Sequence, residues 1–430
     1  MKVPLFAGLV LACLPFLAKA ADLESPPSES LLRPYAGPVV KGVDTSTLTG
    51  KVMCGYQGWF NCEGDGMGLG WTHWSQRRNE LFGPGNVTVD LWPDLTEYGA
   101  EERHPTQFKL ADGRTAEVFS SANRQTVLRH FEWMRDYGID GAFVQRFANG
   151  IKNEKTLHHK NTVLAHAREG ANRNGRAYVV MYDLSGLAKG ETDRVLTDWV
   201  QLRNTMKMGE DPAYLRHGAK PLVAIWGIGF NDGRKYTLAE CRDLMVGLKR
   251  EGCAIMLGIP TGWRELHRDS IPDPALHEVL KLADVISPWT VGRYRNPKEA
   301  ARHGVNVWQP DLAWSREHGL DYLPVVFPGF SWHNLKGAEL GSIPRLKGQF
   351  FWSQVVAAKR AGAEMIYVAM FDEVDEGTAI FKCTNQPPVG DGVSFLTYEG
   401  LPSDHYLQLT GEAAKLLREE IPVSEAMPVP

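Results

Sequence analysis

Short apolar runs alternate with segments of helical periodicity along most of the chain. The runs are rich in β-branched and aromatic residues and lack helical spacing, which is typical of strands covered on both faces. In the segments between them, apolar residues recur every three or four positions and indicate helices that pack by one face. The predicted strands cover residues 52–60, 141–147, 176–184, 221–230, 254–260, 284–291 and 322–330, and a last strand begins at residue 365. The predicted helices cover residues 123–137, 156–174, 191–206, 238–250, 274–282, 297–302 with 312–318, 346–361 and 404–419.

Eight strand-then-helix units in one chain predict an α/β fold, a single (β/α)8 TIM barrel over residues 44–421. Residues 80–114 are polar and interrupted by proline, and strand-like alternation occurs there only at residues 87–91. We therefore expect a long loop excursion after the first strand. In this fold the functional groups lie at the C-terminal ends of the barrel strands.

Four carboxylates follow the last predicted strand within five residues: Asp372, Glu373, Asp375 and Glu376. Burial and mutual repulsion would separate their pKa values, so that one acid stays protonated while another is ionised. Glycoside hydrolysis needs such a pair, because one group protonates the leaving oxygen while another supplies or assists the nucleophile. A solvated acidic turn and a cation site are the alternative interpretations of this cluster.

The segment from Phe371 to Thr378 reads FDEVDEGT and is followed by Ile380 and Lys382. It resembles the FNEWHEGT-x-IEK signature of the endo-α-1,2-mannosidases, glycoside hydrolase family 99, which is related to family 71. In that family the first glutamate is thought to act as a base on the sugar 2-hydroxyl and to give an epoxide-like intermediate, while the second is the general acid and base. The resemblance implies these roles for Glu373 and Glu376, respectively.

Two positions between the glutamates depart from the family pattern. Val374 stands where the family has tryptophan, and Asp375 stands where it has histidine. We expect these substitutions to change the surface that faces the substrate, and α-1,2-linked mannosides to be poor substrates. The negative charge of Asp375 should also raise the pKa of at least one of the glutamates by repulsion.

Aromatic and polar residues at the predicted strand ends are candidates for sugar binding, since aromatic rings commonly stack on sugar faces. A Gly-rich loop over residues 61–70 is bordered by aromatic side chains, and this region loosely resembles the YxxWYG...DGxYxHW region of the same family. A tryptophan on a barrel strand serves packing at least as often as binding, and Arg146 could simply pair with an acid. The candidate substrate-binding residues are Tyr56, Trp59, Asp65, His73, Trp74, Arg146, Tyr182, Asp183, Trp226, Trp289, Trp332, Asp372 and Asp375.

The composition narrows the possible partners. With 430 residues, 43% hydrophobic and 23% charged, and a net charge of −4, the chain has no basic footprint for nucleic acid. No apolar run after the N-terminal segment reaches the length of a membrane span. Dinucleotide-binding, phosphate-binding, serine-esterase and zinc-protease motifs are absent from the sequence, and we expect neither a cofactor nor a metal.

The N-terminus has the pattern of a signal peptide. Lys2 precedes an apolar run over residues 3–17, and Ala18-Lys19-Ala20 is a small-x-small cleavage site. This predicts a signal peptide over residues 1–20 and a secreted or periplasmic protein, with lipid attachment at Cys13 as an alternative. Residues 21–43 are rich in proline and serine and predict an extended lead-in, and residues 422–430 form a tail.

Five cysteines follow the predicted cleavage site, namely Cys54, Cys62, Cys241, Cys253 and Cys383. An odd number leaves at least one free thiol. Cys54 with Cys62, or Cys241 with Cys253, could pair in an oxidising compartment, and the sequence does not assign the partners.

The sequence thus predicts a secreted, metal-independent glycoside hydrolase that cleaves an α-linked glycan, endo-acting and retaining. The expected partner is an oligosaccharide or polysaccharide. Two alternatives remain. One is a hydrolase of the same fold that acts on xylan, arabinan or α-glucan, and the other is a carbohydrate-binding barrel without turnover.

Overall fold

The computed structural model of the protein describes Met1, residues 31–390 and residues 392–428. Apart from Met1, the predicted signal peptide lies outside the described residues, as does Cys13. Residues 21–30 of the predicted lead-in and 429–430 of the predicted tail lie outside them as well.

Twelve strands are present in the described part of the chain, and most are short and buried. They are β1 (Val52–Tyr56), β2 (Arg103–Lys109), β3 (Thr115–Phe119), β4 (Gly141–Phe147), β5 (Ala177–Asp183), β6 (Arg216–His217), β7 (Lys220–Trp226), β8 (Ala254–Ile259), β9 (Val285–Pro288), β10 (Asp321–Tyr322), β11 (Val325–Val326) and β12 (Ile366–Val368).

The main sheet is a closed parallel barrel. Its order is β10-β9-β8-β7-β5-β4-β1-β12-β11, and all neighbours along this path are parallel. Since β10 and β11 lie on one short segment, residues 321–326, the two ends of the path are halves of a single strand position. Leu323 N–H donates to Ile286 at 2.9 Å, and Tyr367 N–H donates to Pro324 at 3.0 Å, so this segment bridges both neighbours. The sequence-based prediction of a (β/α)8 barrel is therefore confirmed.

The described part of the chain also contains ten α-helices. They are α1 (Arg124–Asp136), α2 (Glu154–Asn174), α3 (Asp193–Met206), α4 (Leu238–Arg250), α5 (Ala275–Leu280), α6 (Pro297–His303), α7 (Gln309–Glu317), α8 (His333–Lys336), α9 (Gln349–Ala361) and α10 (His405–Leu417). A π-helical turn, Gly304–Trp308, joins α6 to α7.

Local sequence signals explain where several helices begin and end. The side chain of Asn123 accepts hydrogen bonds from the first turn of α1, and Thr237 forms a capping box with Glu240 at the start of α4. Gly175 ends α2 in the left-handed region, with φ of 58°. These caps account for the close agreement between the predicted and observed helix boundaries.

The excursion after β1 contains more structure than the sequence predicted. Residues 87–91 do not form a strand, although they are buried. Instead β2 and β3 form an antiparallel hairpin. Residues 87–91 pack into the core without strand pairing, and Asp90 N–H and Leu91 N–H both donate to the carbonyl of Val374.

The described residues 31–51, which precede β1, pack against the barrel. Val40 N–H donates to Asn172 at 2.8 Å and Val43 N–H donates to Gly175 at 2.9 Å, next to the end of α2. All five described cysteines are buried free thiols, so neither of the pairings considered from the sequence is formed.

Candidate active site

The four acids lie in a loop, residues 372–378, which we call the acid loop. Ahead of it, Ala369 N–H donates to Val326 at 2.9 Å and Phe371 N–H donates to Gly55 at 2.7 Å, so the chain is held between β11 and β1 to the end of the barrel. Ser331 N–H donates to the carbonyl of Glu376 at 2.9 Å. The acid loop is therefore fixed by backbone contacts at the C-terminal mouth of the barrel.

Two further residues shape the end of the acid loop. Gly377 has φ of 64°, in the left-handed region, and a Cβ added there would lie 3.0 Å from the Cβ of Ser331. The buried guanidinium of Arg345 donates from Nη2 to the carbonyls of Gly377 at 2.8 Å and Ala379 at 2.7 Å. These contacts explain why glycine follows Glu376.

A cavity of about 300 Å³ opens at the mouth next to the acid loop. Both glutamates contribute to its wall, together with several aromatic side chains and no lysine or arginine. It is lined by Gln57, Trp59, Gln145, Phe147, Met181, Asp183, Ser185, Trp226, Trp289, Trp332, Met370, Glu373 and Glu376. A larger cavity, of about 570 Å³, lies at the opposite end of the barrel, near Arg176 and the lead-in, and contains none of the four acids.

Glu373 is buried, and both of its carboxylate oxygens are hydrogen-bonded. Gln57 Nε2 donates to Oε1 at 2.5 Å, and Thr378 Oγ1 donates to Oε2 at 2.6 Å. Burial raises the pKa of Glu373 well above its ordinary value, and the nearby charges of Glu376 and Asp375 raise it further, while the two donors oppose the shift.

Glu376 lies in a different environment on the same cavity. Burial raises its pKa to about 7, and the charge of Asp375 acts in the same direction. A hydrogen bond from the side chain of Trp332 and the positive charge of Lys336 lower this pKa. A carboxyl group that titrates near neutrality can both give and take a proton under ordinary conditions.

Asp372 holds the loop after β1 and does not line the cavity. Its carboxylate accepts from Gln57 N–H at 2.7 Å and from Gly58 N–H at 2.8 Å. Burial raises the pKa of Asp372 to about 7, against the effect of these two donors. The sequence predicted that Asp372 binds substrate, but in the structure it joins the acid loop to the end of β1.

Asp375 also points away from the cavity. Its Oδ2 lies 3.0 Å from His73 Nδ1, and the His73 ring is stacked on Trp59 with 3.7 Å between ring centroids. Trp59 in turn lines the cavity. Asp375 and His73 therefore act on the site by holding an aromatic wall.

The remaining aromatic wall comes from four other strand ends. The rings of Trp226 and Trp289 meet at 80° with 5.7 Å between centroids. Trp332 is 37% exposed, and Phe147 lies 5.3 Å from Trp59 between ring centroids. These rings provide flat apolar faces with polar groups between them. Such a wall suits a sugar ring, whose C–H face can stack on an aromatic ring while its hydroxyl groups form hydrogen bonds.

Asp183 is a third carboxyl group in the wall of the cavity. Its Oδ1 accepts from Ser185 N–H at 2.6 Å, and burial raises its pKa. Of the candidate substrate-binding residues, Trp59, Asp183, Trp226, Trp289 and Trp332 line the cavity.

Four other candidates lie in the interior and do not line the cavity. Tyr56 donates to, or accepts from, His130 Nδ1 at 2.9 Å, and Trp74 packs against Phe60 with 4.5 Å between ring centroids. Arg146 and Tyr182 are both hydrogen-bonded to the buried carboxylate of Asp198, which lies on α3. Tyr56, Arg146 and Tyr182 lie at strand ends and join the barrel to its covering helices, whereas Trp74 packs within the loop after β1. Asp65 likewise folds its own loop, accepting from Asn61, Cys62, Met67 and Ser120.

Val374 also differs from the sequence-based expectation. It is fully buried and is not among the residues that line the cavity. Its substitution for tryptophan therefore does not provide an apolar wall for substrate. The expectation placed Val374 on the substrate side together with the four acids, whereas in the turn only Glu373 and Glu376 line the cavity.

Several cavity residues were not among the sequence-based candidates. They are Gln57, Phe147, Met181, Ser185 and Met370. Gln57 lies directly after β1, so its position was visible, but amide and apolar side chains carry no distinctive chemical signal. Within the described residues, no group of three or more His, Cys, Asp or Glu side chains is placed to hold a metal ion. None of the helices described is both long enough and apolar enough to cross a membrane.

Comparison with solved structures places this fold among glycoside hydrolases. A family 99 endo-alpha-mannosidase from Bacteroides thetaiotaomicron superposes with a TM-score of 0.62 at 17% identity, covering 87% of this chain and 99% of that chain. A second structure of the Bacteroides thetaiotaomicron enzyme, in complex with bis-tris-propane, gives a TM-score of 0.61 at 18% identity with the same coverage. A glycoside hydrolase-like protein gives a TM-score of 0.52 at 14% identity, covering 90% of this chain and 99% of that chain.

No protein-family model and no curated protein matches the sequence. At these identities the structural comparisons establish the fold. The chain has a TIM-barrel fold similar to that of the family 99 endo-alpha-mannosidase.

Proposed function

We propose that the protein is a glycoside hydrolase that cleaves an α-linked glycan at the mouth of the barrel. The observation that carries the proposal is the pair of glutamates in the wall of one cavity with aromatic side chains around them, Glu373 buried and Glu376 partly exposed. Two carboxyl groups in different environments are what glycoside hydrolysis requires.

The environments suit the two roles that the family resemblance implies. Glu376 has its pKa raised to about 7 by burial, so a large fraction is protonated near neutrality and can protonate the leaving oxygen. Glu373 receives hydrogen bonds from Gln57 and Thr378, which favour its ionised form against the burial and the neighbouring charges that raise its pKa. We assign Glu376 as general acid and base, and Glu373 as the base toward the sugar, in a retaining mechanism.

The substrate class follows from the cavity wall and from the fold. Trp59, Trp226, Trp289 and Trp332 provide stacking faces, and the absence of lysine and arginine from the residues that line the cavity favours an uncharged glycan. The similarity in fold to an endo-alpha-mannosidase supports an α-linked substrate and an endo mode. The signal-peptide pattern at residues 1–20 supports action outside the cytoplasm.

The direct test is a substrate panel. The purified protein without its first twenty residues would be incubated with α-mannans, α-glucans and xylans, and the release of reducing ends would be measured. We expect turnover of at least one α-linked glycan, and NMR of the first product should show the anomeric configuration of the substrate. Glu373→Gln and Glu376→Gln should each lower the rate on an unactivated glycan on the order of 10²-fold or more, whereas the exposed Glu317→Gln on α7 is the matched control. A rate that is unchanged by both active-site substitutions would contradict the proposal.

A further inference from the structure

Gln57 connects three parts of the candidate site. It follows the last residue of β1, and its backbone N–H donates to Asp372 at 2.7 Å. Its side chain lines the cavity, and Nε2 donates to Glu373 Oε1 at 2.5 Å. Asp372, which precedes Glu373 in the sequence, therefore fixes the backbone of Gln57, and the side chain of Gln57 donates to Glu373.

The hydrogen-bond pattern at Glu373 is that of a carboxylate. Thr378 Oγ1 donates to the second oxygen at 2.6 Å, so each oxygen of Glu373 receives one donor. A protonated carboxyl group would need an acceptor at one of these positions. Burial opposes ionisation, and so do the charges of Glu376 and Asp375 on the acid loop. The other ionisable groups near Glu373 are Tyr367 on β12, a phenol whose pKa is raised by burial, and Asp183 of β5 on the same cavity.

The second polar atom of the Gln57 amide is unused. Its Oε1 is buried and has no hydrogen-bond partner in the described ranges. A buried carbonyl without a partner is costly, and this one belongs to a side chain in the cavity wall. A sugar hydroxyl would satisfy it, and it would also prevent the amide from turning over and presenting Oε1 to Glu373.

We propose that Gln57 is a positioning residue that holds Glu373 in its ionised form, and that its free carbonyl oxygen binds a hydroxyl of the sugar in the cavity. The first part concerns an acid–base property of the protein alone. The second part rests on the proposed hydrolase function, because it assigns an interaction with the glycan substrate.

Carbon-13 NMR of protein labelled at the glutamate side-chain carboxyl group tests the first part. The titration would be done in a Glu376→Gln background, so that Glu373 titrates without its coupled neighbour, and Glu373→Gln would identify the signal. Gln57→Met, which removes the donor and keeps the length of the side chain, should move the Glu373 midpoint to higher pH by about one unit or more. Gln145→Met is the matched control, since Gln145 lines the same cavity but donates to Tyr367 and Met181. An unmoved midpoint in Gln57→Met would overturn the proposal.

Steady-state kinetics test both parts on any glycan that the panel identifies. In Gln57→Met the acid limb of kcat/KM should move to higher pH, and KM should rise about 3- to 10-fold because the sugar loses one hydrogen bond. Gln145→Met should leave the acid limb in place. A folded Gln57→Met enzyme with an unchanged acid limb would overturn the role of Gln57 and leave the hydrolase proposal standing. An unchanged KM would overturn the sugar contact.

If the wild-type protein turns over no glycan, the hydrolase proposal fails and the sugar contact fails with it, while the NMR titration still decides whether Gln57 holds Glu373 in its ionised form. Gln57→Leu serves as the second variant if Gln57→Met does not fold.

Discussion

The imidazole of His73 lies flat against the indole of Trp59, with 3.7 Å between the ring centroids and 3° between the planes. The edge of the imidazole is held at Nδ1 by Asp375, 3.0 Å away. A residue of the acid loop thus fixes the orientation of an aromatic wall of the cavity through one intervening ring. Val374 and Asp375 are the two positions that depart from the family pattern. Neither side chain lines the cavity, so neither residue is placed to contact a substrate there directly.

The first prediction concerns this stack. His73→Ala should raise KM for a glycan substrate about 3- to 10-fold with a smaller change in kcat, because Trp59 loses a stacking partner and the sugar loses a fixed aromatic face. Steady-state kinetics measure both constants. His267→Ala, an exposed histidine far along the chain, is the control. A loss confined to kcat would show that the stack does not serve substrate binding.

The second prediction concerns the pH dependence of activity. Glu376 must be protonated to act as the acid, so kcat/KM should fall as pH rises through its pKa of about 7. Asp375→Asn removes a negative charge that raises this pKa, so the alkaline limb should move to lower pH. The exposed Asp243→Asn on α4 should leave the limb unchanged. An alkaline limb that stays in place, or moves to higher pH, in Asp375→Asn would contradict the assigned electrostatics.

The third prediction concerns stability. Burial raises the pKa of Glu376 from 4.5 to about 7 in the folded state. Between these values the folded protein keeps a proton that the unfolded chain has lost, so the contribution of Glu376 to stability falls as pH rises through this window. Glu376→Gln should therefore increase the free energy of unfolding at pH 8 by about 1–2 kcal/mol, and by little below about pH 4.5. Denaturant unfolding at both pH values measures this, with Glu317→Gln as control. Equal stability of Glu376→Gln and wild type at pH 8 would show that burial of this carboxyl group costs nothing.

The fold could be predicted from the sequence because strands and helices of a parallel barrel have different hydrophobic patterns. The strands are covered on both faces and read as continuous apolar runs, whereas the amphipathic helices have apolar residues at every third or fourth position. The hairpin of β2 and β3 was missed because Pro105 interrupts its pattern and only two of the seven residues of β2 are buried. At the site, Glu373 and Glu376 were visible as charged residues after an apolar strand.

The sequence does not show which of the other candidates line the cavity and which lie in the interior. Trp59 and Trp74 flank the same loop, yet one lines the cavity and the other is fully buried. Arg146 and Asp183 both lie at strand ends, but Arg146 points outward to Asp198 on α3. Which side of a strand end faces the mouth depends on the twist and tilt of the barrel, and these are properties of the assembled sheet.

The fourth prediction concerns specificity. Because Asp375 replaces a histidine of the family pattern and instead fixes His73 against Trp59, the wall beside the glutamates should fit a differently shaped sugar. We expect α-1,2-linked mannan to be cleaved poorly compared with the best α-linked glycan in the panel. Initial rates at equal substrate concentration measure the order. If α-1,2-linked mannan is the best substrate, these substitutions do not determine specificity.

The central claim is that Glu376 protonates the leaving oxygen, and it is tested most directly by comparing two classes of substrate in Glu376→Gln. On an unactivated glycan we predict that kcat falls on the order of 10²-fold or more, because the leaving oxygen loses its proton donor. On an aryl glycoside with a good leaving group, which needs little protonation, the loss in the step that releases the leaving group should be much smaller. Equal losses on both substrates would contradict the assignment of Glu376 as the general acid.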